Sequence, residues 1–200
     1  MPDEEQPGQA SGEARPIHDP RVLRAIAHPL RNRILGELEA AGSVRAADIA
    51  KELGIPANQA SFHLRQLAKY GLVEEAPEEA RDRRDRVWRR TGDRRLNVNL
   101  KEMEEAPGGA AAVTVWRKSA TSWAHQIIES AYSSEREPDT LRTIIETSVK
   151  VTKQEAEQLC EELDEVLQRW SERTLDDAAD RRTYLFFSAF QPYPGDRAGE

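Results

Sequence analysis

Cysteine is almost absent from this 200-residue chain, Cys160 being the only one. A single thiol excludes an intramolecular disulfide framework and fits a reducing compartment. Its neighbours Ala156, Leu159, Leu163 and Leu167 place Cys160 on an apolar helix stripe, where a buried, unreactive thiol is expected. No apolar run approaches the ~18–20 residues that cross a bilayer, and the N-terminus lacks the apolar segment of a secretory signal. The expectation is a cytoplasmic protein with no membrane attachment. Equally missing are a glycine-rich phosphate loop, a nucleophile elbow and any paired His/Cys constellation. An enzyme is therefore not expected, nor is a cofactor. The C-terminal helical stretches offer only His125 as an imidazole, and one His does not make a tetrahedral zinc site.

The net charge of −7 is unevenly spread. Residues 19–95 hold 16 Lys and Arg against 12 Asp and Glu, while residues 96–200 hold 12 against 20. An acidic total thus hides a mildly basic central unit, and the acidic C-terminal half is not a nucleic-acid surface. Residues 1–18 are polar, bear Pro and Gly, and have too few large apolar groups to order themselves, so a disordered tail is expected there. Order is expected from Asp19-Pro20, an N-cap followed by a first-turn proline, with Val22, Leu23 and Ile26 on one helix face. Pro29 starts the next helix, whose core stripe is Leu30, Ile34, Leu35 and Leu38.

Residues 46–71 read as two short amphipathic helices around a tight turn. The first puts Ile49, Ala50 and Leu53 on one face and ends at Gly54; the second puts Ala60, Leu64 and Leu67 inward and ends at Gly71. Asn58, Gln59, Ser61, Phe62 and Arg65 are left outward near a helix N-terminus, a set able to reach phosphates and base edges in a major groove. Two β-like runs follow, Leu72–Glu75 and Arg86–Arg90, joined by the charged loop Ala76–Asp85. A hairpin placed directly after such a helix is a wing, and Arg81, Arg83, Arg84 and Arg86 at its tip are placed to meet the phosphate backbone or the minor groove.

Ile26-Ala27-His28-Pro29-Leu30-Arg31-Asn32-Arg33-Ile34-Leu35, the Asp48-Ile49-Ala50 helix, Ser61-Phe62-His63-Leu64-Arg65-Gln66-Leu67 and Tyr70-Gly71-Leu72-Val73 resemble the successive signatures of the ArsR-type winged-helix repressors, over about residues 20–92. The resemblance implies the order helix, helix, short strand, helix, recognition helix and two-stranded wing, with Gly42-Ser43-Val44 as the short strand. It also implies a homodimer that binds a palindromic operator. His28 and His63 coincide with histidines of the family; His63 joins the DNA-contact set, with backbone hydrogen bonding as the competing structural role. The departure lies in metal sensing: the helix before the recognition helix reads Ala46-Ala47-Asp48-Ile49-Ala50, without the thiols of metal-sensing members. The chain is closer to a non-metal-sensing subgroup with an extended C-terminal region.

Beyond Gly92 the pattern changes. Leu96–Leu100 alternates like a strand, Pro107-Gly108-Gly109 breaks the chain, and residues 112–133 carry Trp116, Ala120, Trp123, Ile127 and Ala131 at helical spacing. Thr152 and Glu155 form a capping box for a second long helix carrying Ala156, Leu159, Leu163, Val166 and Trp170. Residues 145–151 alternate as a strand does, with a helix over 139–146 as a competing reading, and Tyr184–Phe190 forms a third strand-like run. Trp116, Trp123, Ile127, Leu163 and Trp170 are the candidates for a dimer core or for a pocket taking a small apolar effector.

The expected fold is mainly α with a small β component: a winged helix-turn-helix over 19–95 followed by a helical or α+β dimerisation region over 96–200. The expected function is sequence-specific DNA binding by a homodimeric repressor, through recognition helix 57–70 and wing 72–91. The alternative is a winged helix used as a protein-interaction module.

Overall fold

The computed structural model describes residues 15–80, 86–92, 96–175 and 181–193. The chain joins the fold at β1 (Arg15–Pro16), which pairs in parallel with β5 (Leu96–Asn97). Ile17 is already buried, so the fold includes residues before Asp19; residues 1–14 of the expected disordered tail lie outside the described residues. Asp19 then caps α1 (Pro20–Ile26), its carboxylate accepting from the Arg21 amide at 2.8 Å, with Pro20 at the first helical position. That arrangement supplies an acceptor for an orphan amide and a residue that has none to satisfy.

A second proline repeats the device. His28 caps α2 (Pro29–Ala41), its Nδ1 accepting from the Leu30 amide at 3.2 Å. Helix α2 buries Ile34, Leu35 and Leu38 and stops at Gly42, whose φ of +74° is a conformation that favours glycine. β2 (Ser43–Arg45) leads into α3 (Ala46–Glu52), and the turn through Gly54, at φ +62°, delivers α4 (Ala57–Lys69). Ala60, Leu64 and Leu67 on α4 are fully buried against Ile49 of α3 and Ile34 and Leu38 of α2, in one continuous core.

β3 (Val73–Glu75) and β4 (Val87–Arg90) complete a three-stranded antiparallel sheet in the order β2-β4-β3, with Val44 opposite Trp88 and Glu74 opposite Arg89. Val73, Val87 and Trp88 close the core beneath it. Three helices and this sheet make a winged helix-turn-helix, and three further helices follow it among the described residues.

The core does not stop at residue 95. Asn99 caps α5 (Leu100–Glu105), which buries Met103. Helix α6 (Gly109–Tyr132) then packs Ala112 and Val113 into the same cluster, alongside α1. Gly109 is obligatory, because a Cβ there would lie 1.7 Å from the Met103 carbonyl oxygen. The far half of α6 carries exposed Ile128 and Tyr132.

Helix α7 (Lys153–Arg173) has its capping box, with the Thr152 hydroxyl accepting from the Glu155 amide and the Glu155 carboxylate accepting from the Thr152 amide at 2.7 Å. It buries no residue. Cys160 is accordingly exposed rather than buried, because among the described residues nothing covers the α7 stripe. Residues 145–151 and 184–190 form no strand, and 139–146 form no helix. Alternation marks a strand only where a neighbouring strand takes its hydrogen bonds, and Ile145 at 79% and Leu185 at 61% exposure lie against no such sheet. Among the described residues, no helix is long and apolar enough to cross a membrane.

Leu64 anchors α4, and Leu64→Ala should cost about 2–5 kcal/mol of stability, as for a fully buried leucine truncated without collapse of the site. Urea unfolding of the two proteins measures this; a loss below about 1 kcal/mol would contradict the packing of α4.

Candidate nucleic-acid interface

The face of α4 opposite its buried stripe is open. Asn58, Gln59, Phe62 and Arg65 are exposed and Ser61 is half-buried. This division follows from helical geometry, since Ala60, Leu64 and Leu67 recur on one side and leave the intervening positions on the other. Pro56 starts the helix without a side-chain cap, so the first-turn amides near Asn58 and Gln59 have no side-chain acceptor from the cap residue.

Between α4, the start of α3 and strand β4 lies a recess of about 210 Å³, lined by Ala46, Ser61, Arg65, Arg86 and Trp88. Trp88 is 3% exposed and forms its floor. A hydroxyl and two guanidiniums thus converge on one concavity, the donor set suited to an oxyanion such as a phosphate. Arg65 forms no ion pair among the described residues. Arg86 lies 3.4 Å from a Glu75 carboxylate oxygen, but both side chains are about half exposed or more, and such a pair contributes little and is readily exchanged. Ala46 and Trp88 were not expected at this site; only strand pairing brings them beside α4.

The sheet edge carries a different balance. Arg89 donates to Glu74 at 2.8 Å and also to Glu78, with Glu79 3.9 Å away. The Glu74 hydrogen bond and the nearby Glu78 charge hold Arg89 above its ordinary pKa, so its donors are committed within the wing. Arg90 is similarly tied to Glu39 at 3.1 Å. Arg81, Arg83 and Arg84, expected at the wing tip, lie outside the described residues.

His63 differs from its neighbours on α4. It is 5% exposed, facing inward with its ring centroid 4.8 Å from that of His28 and 5.3 Å from that of Phe62, the latter edge-on. It is thus not on the contact face, because the 3.6-residue period places position 63 beside Ala60, Leu64 and Leu67. Burial pushes both histidines below their ordinary pKa; His28 and Arg31 add to this at His63, and Arg31 adds to it at His28.

The candidates for a dimer or effector region are divided between two helices. Trp116, Trp123 and Ile127 are half-buried on α6, and Trp116 packs on the core. Leu163 at 47% and Trp170 at 58% exposure stand open on α7, with the Arg173 guanidinium 4.8 Å above the Trp170 ring. Among the described residues, no three His, Cys, Asp or Glu side chains are grouped to hold a metal ion.

Residues 26–76 match a family model described as a helix-turn-helix domain. Among curated proteins, none matches the chain in sequence. Similar solved structures include wild-type MarR in its apo form from E. coli, 19% identical over 74% of this chain and 86% of that one, with a TM-score of 0.32. The YusO protein of Bacillus subtilis is 14% identical over 74% and 83%, also with a TM-score of 0.32. A mutant MarR from E. coli complexed with operator DNA is 19% identical over 74% and 84%, with a TM-score of 0.30. Scores this low leave the backbones largely unsuperposed, and the functional reading rests on the chain's own helices and wing.

The two histidines predict an acid-sensitive fold. Their folded pKa values lie below the unfolded value of 6.5, so the unfolded chain binds more protons. Their stabilising contribution is complete above pH 6.5 and is lost as pH falls through that value towards the folded pKa values. Urea midpoints at pH 7.5 and 5.5 should fall with acid, and the fall should shrink in His28→Asn; an equal fall in both would refute this origin.

Proposed function

We propose that this chain is a sequence-specific DNA-binding transcriptional regulator that works as a homodimeric repressor. The observation that carries this is the face of α4. Asn58, Gln59, Phe62 and Arg65 stand exposed on a helix whose opposite side is locked in the core, next to a recess framed by Arg65, Arg86 and Ser61. Amide side chains near a helix start suit base edges, and the recess suits a flanking phosphate. Recognition helix 57–70 and wing 72–91 act as one surface, and Arg81, Arg83 and Arg84, outside the described residues, add cationic contacts to the phosphate backbone. The match of residues 26–76 to a helix-turn-helix model supports the reading.

A single unit of this kind has a weak charge surplus, so useful affinity calls for two. The second copy is supplied through the C-terminal region, where α7 presents Leu163, Val166, Leu167 and Trp170, each 39–58% exposed. A helix of 21 residues, none of them buried against the described residues, is incomplete alone. The dimer reads a palindrome with half-sites roughly 10 bp apart or a little more. A small apolar effector acting near Trp116 and Trp123 changes the angle between the two winged units.

Selection from a random DNA library with the purified full chain should enrich a palindrome bound at least ~10³-fold more tightly than a scrambled duplex. A folded protein that enriches no motif would refute the proposal. On the enriched duplex, Arg65→Ala and Arg86→Ala should each flatten the slope of log affinity against log salt by about 0.9, and an unchanged slope in both would remove the recess from the contact surface. Leu163→Asp combined with Trp170→Asp should convert the dimer to monomer in analytical ultracentrifugation; a surviving dimer would place the interface elsewhere.

A further inference from the structure

Two histidine rings, tilted 49° to one another, meet where α4 joins the start of α2. His63 is the one buried polar side chain of α4, and its Nδ1 has no hydrogen-bond partner among the described residues. One side of its ring meets His28, which is itself fixed as the α2 cap through Leu30. Phe62, 48% exposed on the reading face, meets the ring edge-on. The His28 corner is held from two directions: the Ser119 hydroxyl of α6 donates to the Ala27 carbonyl, and Arg31 donates to the Ala25 carbonyl at 3.2 Å.

We propose that His63 is a positioning residue for DNA reading: as a neutral ring it seats α4 on the α1–α2 corner and orients Phe62, and on protonation it releases both. This rests on the DNA-binding function proposed above and deepens it by naming what regulates the contact face.

The charge environment makes the step one-directional. The groups whose charge reaches His63 are His28 and Arg31, both on the α2 side and both cationic when charged. From the other elements packed on α4, Asp48, Lys51 and Glu52 of α3 and Glu74 and Glu75 of β3 are exposed, as are Arg65 and Lys69 on α4 itself. No carboxylate is hydrogen-bonded to His63 among the described residues. A proton on the ring therefore places a cation in a buried site beside a second imidazole and a guanidinium, and neither partner can accept from it. The corner cannot retreat readily, since Ser119 and Arg31 hold it to α6 and α1. The motion left is of α4 away from the corner, and Phe62 moves with it because it rides on the same ring.

Neutral His63 is thus the reading-competent form, and affinity is lost as acid is added. His28→Asn separates this from a merely structural role. Asparagine is a good cap and keeps an acceptor for the Leu30 amide, while the ring contact and one of the two cationic neighbours disappear.

The experiment measures affinity for the enriched duplex from pH 8 to pH 5.5 at constant ionic strength, with hydrogen exchange of the α4 amides followed over the same range. The wild-type protein should lose at least tenfold in affinity while circular dichroism shows it folded, and α4 protection should fall with it. His28→Asn should lose less than threefold, and His125→Asn, altered on exposed α6 surface, should keep the wild-type profile. Tight binding that does not change with pH, or a loss shared equally by His28→Asn, overturns the proposal and leaves DNA recognition intact. A protein that binds no DNA at any pH refutes the function. In that case, acid-dependent loss of α4 protection that His28→Asn abolishes still supports the seating role of His63, and pH-independent protection overturns it.

Discussion

Burial of one stripe of α4 is the constraint on which the rest depends. Ala60, Leu64 and Leu67 are completely enclosed by α2, α3 and the sheet, and by helical periodicity their enclosure fixes which side chains face out. The outward face is therefore a by-product of packing: Asn58, Gln59, Phe62 and Arg65 are presented because their neighbours cannot be. Each buried aliphatic side chain contributes on the order of 1.5–3 kcal/mol relative to exposure. A rotation of α4 that exposed two of them would cost a sizeable part of an ordinary domain's stability. That rigidity is what a surface reading base edges needs.

The sheet adds a second constraint. Pairing of β2 with β4 carries Trp88 and Arg86 back beside the start of α3 and under α4, which creates the Arg65–Arg86 recess. In the same wing Arg89 is held by Glu74 and Glu78, and Arg90 by Glu39 of α2. Arg89 and Arg90 are thus committed within the chain, whereas Arg86, just before the strand, has only an exposed pair with Glu75, and composition alone cannot separate the two.

The C-terminal half obeys a different balance. α6 begins inside the core, at Ala112 and Val113, and ends outside it at Tyr132. α7 is well formed locally, with a full capping box, yet buries nothing. Capping and i,i+4 contacts such as Lys153 with Glu157 contribute tenths of a kcal/mol to about 1 kcal/mol each. They define where the helix begins but provide no packing partner. Its apolar stripe is the physical basis for expecting a second copy there.

Local chemistry was legible in the residues themselves. Asp19-Pro20 and His28-Pro29 mark helix starts because a capping acceptor and a proline at the first helical position satisfy the same backbone need. Gly42, Gly54 and Gly71 mark stops because each takes a positive φ. The α4 stripe and the wing strands followed from periodicities of 3.6 and 2. Tertiary structure alone decided three things. It set the inward-facing His63 against His28, 35 positions away in the chain, and it gathered Ala46, Ser61, Arg65, Arg86 and Trp88 around one recess. It also left 145–151 and 184–190 without sheet partners. Periodicity specifies a face, whereas a contact or a strand exists only when something distant in the chain meets it.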